Sequence, residues 1–277
     1  MKILRALLIS SLLTLGLSGC LQDEKVVKLN PDGSGTFEET FVIGSQALGQ
    51  IKQFSEGFGA LGKSLGKGGA GGSAFKVLDE DKLREAAEKL GDGVKFFSAK
   101  PLTTEAGEGY SVVYSFSDIN KLRIDQNPAE NMPSAAGAMK MGKTKKEQIK
   151  FDFKKGAPAI LTVKLPVPKE SDLKDRPPVP TGQQDMATTM MQQMLKDMRV
   201  SVAIEIRGRI VETNAEYVEA SRVTLVEMDF NKVMNDPTKF KALLAAQPKT
   251  IEEAKTLVKG IDGMKAETQP TVTVKFQ

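Results

Sequence analysis

The chain has 277 residues, 40% of them hydrophobic and 27% charged, with 39 Lys and Arg against 35 Asp and Glu. A chain of this length can bury a core without covalent staples, and a net charge of +4 gives no reason to expect nucleic-acid binding. It has no histidine and a single cysteine, which excludes an internal disulfide, Cys/His zinc sites and any histidine-based triad or general base.

The chain opens on Met1-Lys2-Ile3-Leu4-Arg5, continues through an apolar run from Ala6 to Leu17, and closes on Leu17-Ser18-Gly19-Cys20. The run is broken by Ser10, Ser11 and Thr14 and falls short of the roughly 20 apolar residues that span a bilayer core. Its apolar residues cover all faces, unlike an amphipathic first helix, and it fits the apolar region of a cleaved secretory signal. The segment resembles a bacterial lipoprotein signal peptide, residues 1–19, with its lipobox. The resemblance implies cleavage before Cys20, a diacylglyceryl group on the Cys20 thiol, and a mature chain 20–277 held on a membrane outside the cytoplasm. Loss of Lys2 and Arg5 brings the exported chain closer to neutral. Acylation leaves it no thiol for redox or nucleophilic work, and two or more acyl chains suffice as an anchor. Leu21 follows the cysteine where the Gram-negative sorting rule places aspartate for inner-membrane retention. The resemblance thus implies the periplasmic side of the outer membrane in such an organism.

Beyond the signal, period-two alternation recurs. Phe37, Glu39, Phe41 and Ile43 share one side of a predicted strand, after a first strand over Val26–Leu29. Tyr110, Val112, Tyr114 and Phe116 share another, preceded by a strand near Val94–Lys100. Further alternation predicts strands around Ile149–Phe153, Leu161–Val167, Val200–Ile206, Thr224–Phe230 and Val272–Phe276. Strands with one wet and one dry face belong to antiparallel sheets. The turn residues Asn30–Gly35, Glu105–Gly109 and Lys155–Pro158 predict three hairpins. Asn30-x-Asp32-x-Ser34-Gly35 also opens like an EF-hand loop, but Phe41 stands where the bidentate glutamate belongs and the flanks alternate like strands.

Helices are fewer. Asp79 caps a predicted helix over Glu80–Leu90 that ends at Gly91, with Leu83, Ala86, Ala87 and Leu90 on one face. Others are predicted over Gln183–Met198, Pro237–Ala246 and Ile251–Val258. Three stretches read as loops: the glycine-rich Ser55–Ser73, Asn127–Lys146 and the proline-bearing Lys169–Gly182. The predicted fold is α+β, mainly antiparallel sheet with a few helices packed on one face. It is one domain that divides into halves 24–126 and 147–277 joined by a mobile linker.

Few residues point to chemistry. Paired carboxylates at Glu38-Glu39, Asp79-Glu80-Asp81 and Glu252-Glu253 lie on a strand or at helix starts, where acids serve solvation and the helix dipole. No catalytic residue, metal ligand or cofactor site is expected. Met186, Met190, Met191, Met194, Leu195 and Met198 are spaced three and four apart and so share a helix face. Such a face fits a core helix lying on the sheet, an adaptable apolar groove for acyl chains, or thioether copper ligation. Lys52, Lys63 and Lys67 among Leu48, Ile51, Phe54, Phe58, Leu61 and Leu65 fit either an interfacial amphipathic stretch or a helix on the sheet. The basic run Lys140–Lys146 fits anionic headgroups or an exposed loop.

A second resemblance rests on the early turn Asp32-Gly33-Ser34-Gly35 and on Gly208, Val211 and Asn214 in a later strand. These are similar to the "Asp-Gly-Ser-Gly" turn and "Gly-x-Ile/Val-x-x-x-Asn" strand of bacterial lipoproteins with an LppM-like ectodomain. That family implies an α+β envelope domain without a settled enzymatic role. Together the readings point to a non-catalytic envelope lipoprotein that binds a lipid or other hydrophobic ligand. The alternative is a module that docks on another envelope protein.

Overall fold

The computed structural model describes residues 21–49, 51–53, 76–125, 148–166, 189, 192, 195–246 and 248–277. The strands in chain order are β1 (Leu21–Leu29), β2 (Gly35–Gly44), β3 (Lys95–Thr103), β4 (Gly107–Phe116), β5 (Arg123–Asp125), β6 (Gln148–Lys154) and β7 (Ala159–Lys164). After them come β8 (Arg199–Ile206), β9 (Ile210–Thr213), β10 (Val218–Glu219), β11 (Arg222–Asp229), β12 (Met264–Ala266) and β13 (Thr271–Phe276). The helices are α1 (Glu80–Leu90), α2 (Phe230–Met234), α3 (Pro237–Ala245) and α4 (Ile251–Lys259). Residues 45–49 and 51–53 are also helical. The fold is α+β, as the alternation predicts.

The strands form two sheets. The larger is eight-stranded in the order β10-β11-β8-β1-β2-β4-β3, with β12 also paired to β11. The smaller is five-stranded in the order β5-β6-β7-β13-β9. All pairings are antiparallel except β1 with β8, which run parallel from Gln22 beside Arg199 to Leu29 beside Ile206. Parallel neighbours need a long crossover, here the whole chain between the two strands. The stretches on either side of residues 126–147 are interleaved, since β1 pairs with β8 and β5 with β6. The three stretches read as loops lie outside the described residues.

The three predicted hairpins form. In the first, Asp32 Oδ1 accepts from the Ser34 N–H at 2.9 Å and from the Ser34 hydroxyl at 2.6 Å, an Asx turn. Gly33 takes φ +91°, and a Cβ there would meet the Phe153 ring at 2.7 Å. The EF-hand-like spacing is therefore a strand turn. Asp79 caps α1 by accepting from the Lys82 N–H at 3.3 Å, and Leu83 and Ala87 of that helix are buried.

One apolar cluster spans both sheets. Val27, Leu29, Phe37, Phe41, Val112 and Phe116 of the large sheet join Ile149, Leu161, Val163, Val272, Val274 and Phe276 of the small one. Fully burying a side chain of this size contributes about 1.5–3 kcal/mol, so the shared layer holds the sheets together. A second, smaller cluster of Val233, Phe240 and Ile261 joins α2 to α3 and to the segment after α4.

Two asparagines extend the ladders of the small sheet. Asn120 Oδ1 accepts from the Phe153 N–H at 2.6 Å, and its amide donates to Asp118 Oδ1 at 2.9 Å. Asn214 Oδ1 accepts from the Thr273 N–H at 2.6 Å while its amide donates to the Thr271 carbonyl at 3.0 Å. Asn120→Ala leaves the part-buried Phe153 N–H unpartnered at a cost of about 1–3 kcal/mol. Urea denaturation of the variant is expected to show a lower midpoint at unchanged slope.

Candidate functional site

Alternation alone explains one departure from ordinary core chemistry. In β1 the odd residues Leu21, Asp23, Lys25, Val27 and Leu29 point to the same side, and all are buried. The neighbouring β2 places Phe37, Glu39 and Phe41 on that side too. Strand register sets Lys25 opposite Glu39 and Asp23 opposite Phe41. The result is a charged cluster on the apolar face: Asp23 is 1% exposed, and Lys25 and Glu39 are 5% exposed.

Lys25 Nζ donates to Asp23 Oδ2 and stands 3.6 Å from Glu39 Oε1. Aromatic pairs bracket the group. Phe41 stacks on Tyr110 at 5.5 Å between ring centres, and Phe37 on Tyr114 at 6.0 Å. Burial pushes both phenols well above the usual tyrosine range, and the Glu39 carboxylate adds to it. Burial likewise holds the Asp23 carboxyl above its ordinary value of 3.8, opposed by the Lys25 ammonium. Asp23 Oδ1 is buried with no hydrogen-bond partner. With two carboxylates and one ammonium, the cluster can take up a proton where an exposed aspartate would not.

A second feature is a groove of about 640 Å³ between α3 and α4. Ala242, Leu257 and Ile261 line it together with Lys239, Glu252 and Glu253. Asp236 caps α3 through the Thr238 and Lys239 N–H groups at 3.1 and 3.0 Å, and Thr250 caps α4 through the Glu253 N–H at 3.2 Å. These caps fix where the two walls start. At the end of α4, Lys259 pairs with Glu216 at 2.9 Å. Hydrogen bonds from Thr268 and then from Lys259 hold the Glu216 carboxyl below the ordinary range.

Of the residues singled out by sequence, Cys20, Met186, Met190, Met191 and Met194 lie outside the described residues. Leu195 and Met198 are described and half-buried. Leu195 packs on the small cluster of Val233, Phe240 and Ile261, whereas Met198 packs on the main core. The paired acids have local partners: Glu38 meets Lys28 at 2.8 Å, Glu80 meets Arg84 at 3.3 Å and Glu252 meets Lys255 at 3.1 Å. Glu253 Oε2 accepts from the Lys249 N–H at 2.7 Å. Among the described residues, no three acidic, histidine or cysteine side chains gather to hold a metal ion. The buried cluster was open to sequence reasoning, since opposite charges at Asp23 and Lys25 continue the period-two pattern of Val27 and Leu29. The predicted first strand starts at Val26 and so misses it.

No protein-family model matches the chain, and no curated protein matches it. Among solved structures, the NMR structure of the folded domain of LppM from Mycobacterium tuberculosis is similar over 93% of this chain and 91% of its own. The identity is 10% and the TM-score 0.34, a likeness that carries no argument about function.

Removing one member of a buried ionic group leaves the others uncompensated, at about 3–5 kcal/mol. Lys25→Met is therefore expected to lose stability of that order at neutral pH and to recover part of it in acid, as Asp23 and Glu39 take up protons. The Asp23→Leu/Lys25→Met/Glu39→Leu triple variant is expected to match or exceed the natural chain. For Asp23 the sign is fixed: the folded carboxyl is raised, so the folded state holds the extra proton. Its contribution is full below 3.8 and is lost as pH rises through the folded value. Asp23→Asn is thus expected to flatten the fall in stability above that pH, read by urea denaturation across a pH series.

Proposed function

We propose that this protein is a non-catalytic, membrane-anchored lipoprotein of the bacterial cell envelope that binds a lipid or another hydrophobic ligand. The observation that carries the reading is the α3–α4 groove. It is an open surface groove of about 640 Å³ between two helices. Its exposed lining is mostly apolar, and Lys239, Glu252, Glu253 and Thr256 also contribute to it. That arrangement suits an acyl chain in the groove with a polar head beside Lys239. Cys20 supplies the tether, and no helix among the described residues is long and apolar enough to cross a membrane.

A second reading, an interaction module, draws support from Phe97. It is 72% exposed on β3, an edge strand of the large sheet, at a register break between Phe96 and Ser98. A large exposed aromatic beside an open edge is a common protein contact.

Native mass spectrometry of the purified chain is expected to show a bound lipid, and a fluorescent fatty acid is expected to bind in solution. Ala242→Trp fills the groove from an exposed helix position and should abolish both signals while leaving the melting temperature unchanged. A Phe97→Ser variant that keeps lipid but loses a stoichiometric protein partner would favour the second reading. Absence of bound lipid and of any fatty-acid binding in the natural chain would defeat the first.

A further inference from the structure

We infer that the end of the large sheet at which β1 begins is the surface that lies against the bilayer. This rests on the proposed acylation of Cys20. The register of β1 sets the orientation. Leu21 is buried and pairs with Ile43 on one side, and Gln22 pairs with Arg199 on the other. Only one Cα–Cα step, about 3.8 Å, separates Cys20 from a strand fixed along both edges. A lipid on Cys20 therefore has no spacer that would let the body turn freely. The same register gathers the start of β8 (Arg199), the end of β11 (Asp229) and the end of β2 (Gly44) at this end.

What projects there is helical. The helical residues 45–49 and 51–53 follow β2, and α2 follows β11, with the Phe230 N–H donating to the Met198 carbonyl at 3.1 Å. Arg199, Lys232 and Lys52, the last of which also pairs with Glu108 at 3.7 Å, are exposed at this end and suit anionic headgroups. The α3–α4 groove lies on the same side as α2, since Ile261 of its lining belongs to one small apolar cluster with Val233. The far end carries the Asn30–Ser34 turn and the small sheet: Ile119 N–H donates to the Gly33 carbonyl at 3.0 Å, and Lys155 acts on Asp32. Nine residues of strand separate the two ends, about 30 Å.

The test uses the full chain expressed in bacteria, extracted from membranes and reconstituted into phosphatidylethanolamine–phosphatidylglycerol vesicles carrying a headgroup nitroxide lipid. Lys52→Cys, Lys232→Cys and Lys155→Cys each receive a fluorophore on the new thiol. Quenching is expected to be several-fold stronger at positions 52 and 232 than at 155. A flexible Gly/Ser insert of about 20 residues between Cys20 and Leu21 gives a reach of about 25 Å and should remove the difference. Mass spectrometry of the amino-terminal peptide separates acylation from orientation. An unmodified Cys20 would overturn the anchoring reading and the orientation with it. An acylated Cys20 with equal quenching at all three positions, or quenching indifferent to the insert, would overturn the orientation alone.

Discussion

Strand β1 is the constraint on which the rest depends. It pairs with β2 over nine residues and with β8 over eight, so its backbone is satisfied on both edges. Everything in the large sheet on one side reaches the other only through it. Its odd residues carry both the hydrophobic contacts to the core, through Val27 and Leu29, and the charged pair Asp23 and Lys25. A slip of one residue would turn all of these to solvent. The ionic cluster and the core thus fix a single register between them, and the direction of the strand at Leu21 follows.

The apolar layer is not uniform along β1. Near Leu29 the small sheet covers it, and Phe153 and Phe276 pack at 6.2 Å in that layer. Near Leu21 the cover includes Ala47, Leu48 and Ile51 from the helical segment after β2. The charged cluster sits between these regions, ringed by the Phe–Tyr pairs. Such a group contributes little net stability, because desolvation offsets the attraction between the charges. Its members meet only in the register that sets Lys25 opposite Glu39.

The local elements were legible in the sequence, and the long-range ones were not. Asp79 and Gly91 mark the ends of α1, and Asn30–Gly35 marks the first hairpin, because caps and turns are set by neighbours a few residues apart. Alternation in Tyr110–Phe116 and Val272–Phe276 gave the strand faces correctly. It could not say that these faces belong to two sheets, nor that β1 and β8 lie parallel, since period two carries no partner or direction. Leu195 and Met198 illustrate the same limit at the candidate site. Their spacing suggests a common face, yet they pack on different clusters. The early start of β1 is missed when only apolar residues are counted, because Asp23 and Lys25 take the buried positions before Val27.

The parallel partnership of β1 and β8 has a consequence for biogenesis. On the ribosome β1 is made long before Arg199, and the β2 hairpin protects only one of its edges. Its other edge stays unpaired until more than two thirds of the chain has been synthesised. Contacts of such separation slow folding, and an open edge invites pairing with a second nascent chain. A holding chaperone that occupies that edge, or delayed release from the machinery that handles the emerging polypeptide, would protect the yield of folded protein.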